Sequence, residues 1–483
     1  MAQKKSHRQH PIKILSYTTK YFWLLSIPLV RGLILLKFNL QVWLEGAWVD
    51  IFVLFLILLF AIIRWLCITF DYDSFSITIK KGIFFRQKFN VLYADISSIC
   101  VEKRLFLLPF RASAVLIDTN YGSHKKSDIK MTISNKDIDT FVLSIKEFSE
   151  ADIIRFSYYP SKRHLVFFSL IFSNTLSGAI LISTLIYQGG QIIGQQLELQ
   201  FVSTFNKLIR GLTFWLPPAA VGLSIFILGG WILSFVLNLM RHWHFKAERQ
   251  GQNVVVTSGF LTMRTYYLNS AKINYTDFRQ SLLTIIFKLS SVHVHCSGYG
   301  KAKRAIAVLI PITTRHEAFG TLHMLLPNLP EPYISVRSDR EQIRRFIFIP
   351  VVFILSIPLV ALTLIWLFPR WIEMIVFAGI IFEIPALWLL VVKIVSDFTT
   401  GIGLSDNVLT LKYCQMYEFH TALVPIEKIS MFEIKQSVFQ KKTNNCNLII
   451  YTNAERTKFH VVRYLQYDKT LALLGDLDIQ IYE

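Results

Sequence analysis

Six mainly apolar runs divide the chain, and they come in pairs: residues 21–40 with 47–70, 164–187 with 212–240, and 346–368 with 371–394. The hydrocarbon core of a bilayer, roughly 30 Å thick, takes about 20 residues of helix. The spacing therefore predicts six transmembrane helices arranged as three hairpins. Hydrophobic side chains make up 53% of the chain, above the roughly 45–50% of soluble proteins. They gather in these runs, and the stretches between have ordinary β-domain composition. The connector 188–211 is longer than the other two. Its Leu197, Phe201, Phe205 and Leu208 recur at helical spacing, which predicts an amphipathic helix on the outer surface.

Lysine and arginine set the sidedness. The amino-terminal arm holds Lys4, Lys5, Arg8, Lys13 and Lys20 and no acidic residue, whereas the three hairpin tips hold only Lys37, Lys207, Arg210 and Arg370. Both termini and every segment between hairpins are expected on the cytoplasmic side of the plasma membrane. A cleaved signal peptide is the alternative for the first run, but its length, its internal Arg31 and the lack of a small-x-small exit favour a permanent helix. The formal charge of +19 fits the same cytoplasmic excess, with an anionic lipid surface as a second meaning; nucleic acid is not expected as a partner. Cys67, Cys100, Cys296, Cys414 and Cys446 are scattered without a C-x-x-C pair, so neither disulfides nor a thiolate metal site is expected.

A repeat runs through the chain. After each hairpin comes an alternating, β-branched stretch, at residues 75–79, 254–257 and 408–411, which predicts a strand. Gly82 and Gly259 then supply a tight turn, where the third copy has Cys414-Gln415 and must turn differently. The most diagnostic segment is Leu268-Asn-Ser-Ala-Lys-Ile273 followed by Gln280-Ser281, which matches Val424-Pro-Ile-Glu-Lys-Ile429 followed by Gln436-Ser437 without a gap. The first copy gives Leu92-Tyr-Ala-Asp-Ile96, with Lys103-Arg104 where Gln-Ser stands. Phe110-Arg111 answers Phe287-Lys288, and Val115, Val292 and Leu448 fall in register on a further strand. Each copy closes with a strand (129–133, 305–310, 459–462) and a helix (138–148, 316–326, 467–477) that plugs a small bent sheet.

The Lys-Ile-x6-Gln-Ser core, continued through His293-Val-His295, resembles the bacterial pleckstrin-homology-like family of membrane-flanked domains, and the whole chain is similar to its YdbT-type three-repeat branch. The resemblance implies an α/β membrane protein with three hairpins, each followed by a PH-like β-sheet domain with a carboxy-terminal helix. The boundaries are then 1–70 for the basic arm and first hairpin, 71–160 for the first domain, 161–240 and 241–335 for the second pair, and 336–395 and 396–483 for the third. It also implies a smaller membrane PH-like paralogue as partner, and gene clusters for leaderless bacteriocins, where such proteins serve secretion of the peptide or immunity to it.

Two intramembrane charges stand out. Glu383, two residues before Pro385 in the sixth run, and Arg31, three after Pro28 in the first, would each be costly alone in lipid. They are expected to meet as an ion pair or to line a polar path. Ser173-Asn174-Thr175 is expected to bond across helices, and Gly229-Gly230 to mark a bend or a close helix contact. His242-Trp-His244 and His293-Val-His295 each place two imidazoles on one side of an extended segment, but no third ligand is evident, so no metal is expected. Lys80, Lys81, Lys301, Lys303 and Arg304 are candidates for anionic headgroup contact, with solvated charge the alternative. The stretch 298–301 is expected to be a hairpin turn. No catalytic constellation and no cofactor motif is present. The function expected is a non-enzymatic subunit of a membrane complex that handles cationic amphipathic peptides. An ion-coupled conduit or an envelope-stress scaffold is the alternative.

Overall fold

The computed structural model describes residues 7–18, 40–73, 75–83, 85–119, 128–145, 154–173, 178–184, 203–204, 207, 218–296, 307–338, 343–452 and 459–475. The chain forms two compact units, Met1–Arg155 with Gln250–Asn269, and Phe156–Arg249 with Ser270–Glu483. In chain order the first module follows β1 (His7–Arg8) and helix α1 (Leu40–Leu66). It consists of β2 (Thr69–Tyr72), β3 (Ser76–Lys81), β4 (Gln87–Leu92), a 3-10 turn (Tyr93–Asp95), β5 (Ile96–Arg104), β6 (Ala112–Thr119), β7 (Ile129–Ser134) and α2 (Asn135–Ser144). The second follows β8 (Ile154–Tyr158), α3 (Lys162–Ile171) and α4 (Pro218–His242). It has β9 (Lys246–Gln250), β10 (Asn253–Ser258), β11 (Thr262–Asn269), a 3-10 turn (Ser270–Lys272), β12 (Ile273–Ser281), α5 (Leu282–Ile286), β13 (Leu289–Cys296), β14 (Val308–Thr314) and α6 (Arg315–Leu325). The third follows β15 (Val336–Arg337), α7 (Ile343–Leu367) and α8 (Ile372–Thr399). It has β16 (Gly401–Ser405), β17 (Val408–Gln415), β18 (Glu418–Pro425), a 3-10 turn (Ile426–Lys428), β19 (Ile429–Lys435), α9 (Val438–Lys442), β20 (Asn445–Thr452), β21 (Phe459–Gln466) and α10 (Tyr467–Gly475).

The repeat is therefore real at the level of strands, and its diagnostic isoleucines do one job. Ile96, Ile273 and Ile429 each leave a 3-10 turn and open the second half of a module. Ile96 is fully buried, in a core with Ile77, Ile99, Val115, Ile117 and Phe141. The third module builds the corresponding core from Leu409, Leu411, Leu448, Ile450, Val462 and Leu465. Gly82 and Gly259 take φ of +128° and +119°, a region open to glycine and closed to most side chains. The third copy turns at Met416, with φ of 52°.

The modules do not each keep their strands to themselves. In the first unit the order runs β7-β6-β5-β11-β10, so the second half of module 1 pairs with the first half of module 2. In the second unit the order runs β14-β13-β12-β18-β17-β16-β15, which joins modules 2 and 3 in the same manner. Two sheets have one module each, β1-β2-β3-β4 at the start and β19-β20-β21 at the end.

Four described helices are long and apolar enough to cross a bilayer: Gly46–Leu66, Ala220–His242, Ile343–Leu367 and Pro369–Thr399. Their surfaces are lined with exposed groups such as Phe52, Leu228, Leu359 and Ile384, as a membrane protein requires. Several expected limits shift. The second run ends at Leu66, and Phe70, placed in lipid by the sequence, is a buried core residue of β2. The sixth runs on to Thr399, and β14 covers Val308–Thr314 rather than 305–310. The third run is broken: α3 stops at Ile171, Phe172 caps it, and helix resumes at 178–184. Ser173 bonds back to Leu170 of its own helix at 2.9 Å, and a bond between helices is made by Asn238, whose Nδ2 donates to the Ser169 carbonyl at 3.4 Å. The close contact involves Gly230, whose carbonyl oxygen would lie 1.8 Å from a Cβ added at Gly178. The first run, apart from Leu40, lies outside the described residues, as do Asn174, Thr175, the turn 298–301 and most of 188–211.

Candidate functional site

The Gln-Ser signature becomes one local device. Gln280 and Gln436 donate from Nε2 to the carbonyls of Leu289 (2.7 Å) and Asn445 (3.0 Å), across the loops that follow β12 and β19. Ser281 and Ser437 cap the short helices α5 and α9 in reciprocal capping boxes with Thr284 and Gln440. Each loop closes on a left-handed residue at the same place, Arg111, Lys288 or Asn444. Module 1 lacks the pair. Its Arg104 offers no side-chain cap, and the loop takes a 3-10 course over Leu105–Phe110. Ser437→Ala is expected to cost about 1 kcal/mol, read as a lower urea midpoint for the purified protein.

These loops carry apolar side chains outward. Leu105, Phe106, Leu108 and Phe110 are exposed in module 1, Leu283, Ile286 and Phe287 in module 2, and Val438 (76%) and Phe439 (72%) in module 3. Patches of this kind mark an interaction surface, and in the second unit the neighbours say which. The Phe287 ring meets Phe167 of α3 edge-on at 5.7 Å. Leu282 is buried with Val392 of α8 and Phe419 of β18. Arg345, in the first turn of α7, donates to the Phe439 carbonyl at 3.2 Å. The loops thus stand beside the ends of apolar helices, with Lys288, Lys441 and Lys442 next to them in sequence.

The family model described as the bacterial PH domain matches residues 26–147 and 207–319. The chain belongs to the bacterial PH-domain family. Each match takes in apolar sequence ahead of a module as well as most of the module; the third module lies outside both, although its strands repeat the same order. No curated protein and no solved structure matches the chain.

The other expected site residues are dispersed. Glu383 sits in α8, and its Oε2 is buried without a hydrogen-bond partner among the described residues. Arg31 lies outside the described residues, as do Lys301, Lys303 and Arg304. The third module comes close to Glu383, because the Tyr417 hydroxyl in the β17–β18 turn donates to the Pro385 carbonyl at 3.3 Å. Between that turn, α7 and α8 lies a cleft of about 370 Å³, with Arg345, Lys393 and Arg463 around Phe346 and Leu389. Lys80 is held 3.1 Å from the buried Asp71, and the Lys81 ammonium lies 4.1 Å over the Phe89 ring. His242 closes α4 and His244 has φ of 54°, so that pair does not share an extended face. His293 and His295 do lie on β13.

Both shared sheets are pinned by a buried acid that the sequence reading missed. At the first junction Glu102 of β5 receives Arg104 Nη2 at 2.6 Å and Arg264 Nε of β11 at 2.9 Å. Burial pushes the Glu102 carboxyl up, but these two guanidiniums outweigh it and hold it below the usual carboxylate range. At the second, Asp277 of β12 receives Arg279 Nε at 2.7 Å and His420 Nδ1 of β18 at 2.9 Å. Here too burial acts upward, and the charges of His420 and Arg279 win, leaving Asp277 well below its ordinary value. Around it Tyr275 stacks on His295 at 4.3 Å, and Tyr413 shares a hydrogen with His460 Nδ1 at 2.8 Å. A cleft of about 630 Å³ opens beside the cluster. The His420 nitrogens both face carboxylates, Nδ1 to Asp277 and Nε2 to Glu418 at 3.8 Å. Such an imidazole serves as a clamp between strands rather than as a base for a substrate proton. The signal available in the sequence was acid-x-arginine inside a strand, Glu102-x-Arg104 and Asp277-x-Arg279.

Proposed function

We propose that the chain is a non-enzymatic subunit of a bacterial plasma-membrane complex that acts with a smaller PH-like relative in secreting bacteriocin-type peptides, or in protecting the cell from them. In this reading six helices cross the bilayer as three hairpins, both termini are cytoplasmic, and the PH modules rest on the anionic inner leaflet. The observation that supports it most is the threefold recurrence of exposed apolar loops, two of which stand beside apolar helices. A row of linked modules held at the lipid surface is a platform on which an amphipathic cationic peptide and a membrane partner meet, since tethering raises their local concentration without new contacts. Deleting the gene should change export of the peptide or sensitivity to it. Unchanged export together with unchanged sensitivity would sink the proposal.

A second reading, a peptide or lipid conduit coupled to an ion gradient, draws on the unpartnered Glu383 Oε2. Glu383→Gln separates the two. A conduit should lose most of its export while the protein still accumulates in the membrane, whereas a platform should keep it.

A further inference from the structure

The two junctions obey one rule of pairing. At the first, Ile99, the third residue past Ile96, faces Tyr267, the third before the 3-10 turn of module 2. At the second, Thr276, the third past Ile273, faces Leu423, the third before the 3-10 turn of module 3. The opening strand of a module's second half thus takes the third strand of the next module's first half, antiparallel and in one register. Only two strands of these kinds remain outside such a pair among the described residues. They are β19 in module 3, an edge of β19-β20-β21, and β4 in module 1, an edge of β1-β2-β3-β4. Both look the part: β5 and β12 are largely buried, whereas most residues of β19 keep some exposure and β4 is exposed along nearly its whole length.

We propose that β19 of one molecule pairs with β4 of a second copy, in the register of the two internal junctions, so that copies join head to tail. The edges are complementary in kind, because each is the missing partner of the other in a rule this chain obeys twice. β19 also carries the acid-x-base element of the internal junctions: Glu433 receives Lys435 at 3.0 Å and the Tyr451 hydroxyl at 2.9 Å, and it stands four past Ile429 as Asp277 stands four past Ile273. An unpaired strand edge presents a row of free amide and carbonyl groups that favours strand addition. The contact uses different surfaces on the two molecules, so it is heterologous and builds rings or rows in the plane of the membrane rather than a closed twofold dimer.

Carrying the register over places Glu433 opposite Phe89, with Lys88 one step away and on the other face. The equivalent pair at the first junction is Cys100 opposite Tyr266. The test uses full-length protein in native membranes, with the partly exposed Cys67 and Cys414 replaced by serine. One tagged copy carries Glu433→Cys and a differently tagged copy carries Phe89→Cys; mild oxidation should join the two tags. Tyr266→Cys, reacting with the native Cys100 inside one chain, calibrates the yield. The expected result is a mixed-tag dimer at 433/89, several-fold above the yield when Lys88→Cys replaces Phe89→Cys. Equal yields at 89 and 88, or no mixed-tag dimer while the calibrating disulfide forms, overturns the proposal.

Discussion

Asp277→Ala is expected to cost about 3–5 kcal/mol, the largest loss for any single side chain outside the hydrophobic core, because it strands two buried bases. Asp277 is 2% exposed, and the side chains that depend on it, Arg279 and His420, are 19% and 8% exposed. With the carboxylate gone, Arg279 must stay charged with little access to water, and the pairing of β12 with β18 carries the penalty. Urea unfolding in detergent should show a lower midpoint, with the change confined to the second unit when proteolytic fragments are mapped. Asp277→Asn, which keeps the shape and one acceptor but not the charge, should fall between. Glu102→Ala makes the comparison at the first junction. Its partners Arg104 and Arg264 are more open, at 33% and 21%, so part of their charge can be rehydrated and the loss should be smaller. Equal losses at both sites would mean that burial of the partners does not set the cost.

The same contrast shows what could be read from the sequence. Local patterns came through wherever the physics is local. Period-two stretches became β3, β10 and β17, the glycines at 82 and 259 took left-handed turns, and the isoleucine that follows each 3-10 turn begins a strand, largely buried in the first two modules. The Gln-Ser pair was visible as a signature, but the glutamine's work as a cross-loop bond depends on the carbonyls of Leu289 and Asn445, nine residues further on. The first strand of each module was missed, at Thr69–Tyr72, Lys246–Gln250 and Gly401–Ser405, because each follows an apolar helix within a few residues and is too short for a period-two pattern to stand out. Strand sharing was beyond reach for a different reason. A repeat in sequence predicts equivalent modules, yet an antiparallel strand pairs as well with a neighbouring copy as with its own, and only the three-dimensional partner decides. With that partner unknown, Asp277, Arg279 and His420 appear as scattered polar residues, and the chemistry of the junction is hidden.

Lowering the pH from neutral towards 5 is expected to weaken the second unit through His293. The ring lies on β13 with no exposed surface, its Nε2 3.1 Å from the Ser291 hydroxyl and its centroid 6.0 Å from that of the Phe172 ring. Burial, reinforced by the charge of Arg279 and only partly offset by Asp277, holds its pKa well below the ordinary 6.5. The folded chain therefore keeps this imidazole neutral while the unfolded chain takes up a proton once the pH drops below 6.5. The unfolded state then binds more protons, so stability falls with the pH, by about 1.4 kcal/mol for each unit until the folded-state value is reached. Asp277 does not blur the measurement. Its carboxyl is depressed below 3.8, so its contribution is present throughout this window and is lost only in much stronger acid. His293→Gln cannot take up the proton in either state, and the difference between wild type and variant should shrink steadily from pH 7 to pH 5. Parallel curves would mean that the imidazole takes up its proton equally in the folded and unfolded chains, and a difference that widened towards pH 5 would mean that Asp277 rather than burial sets its charge.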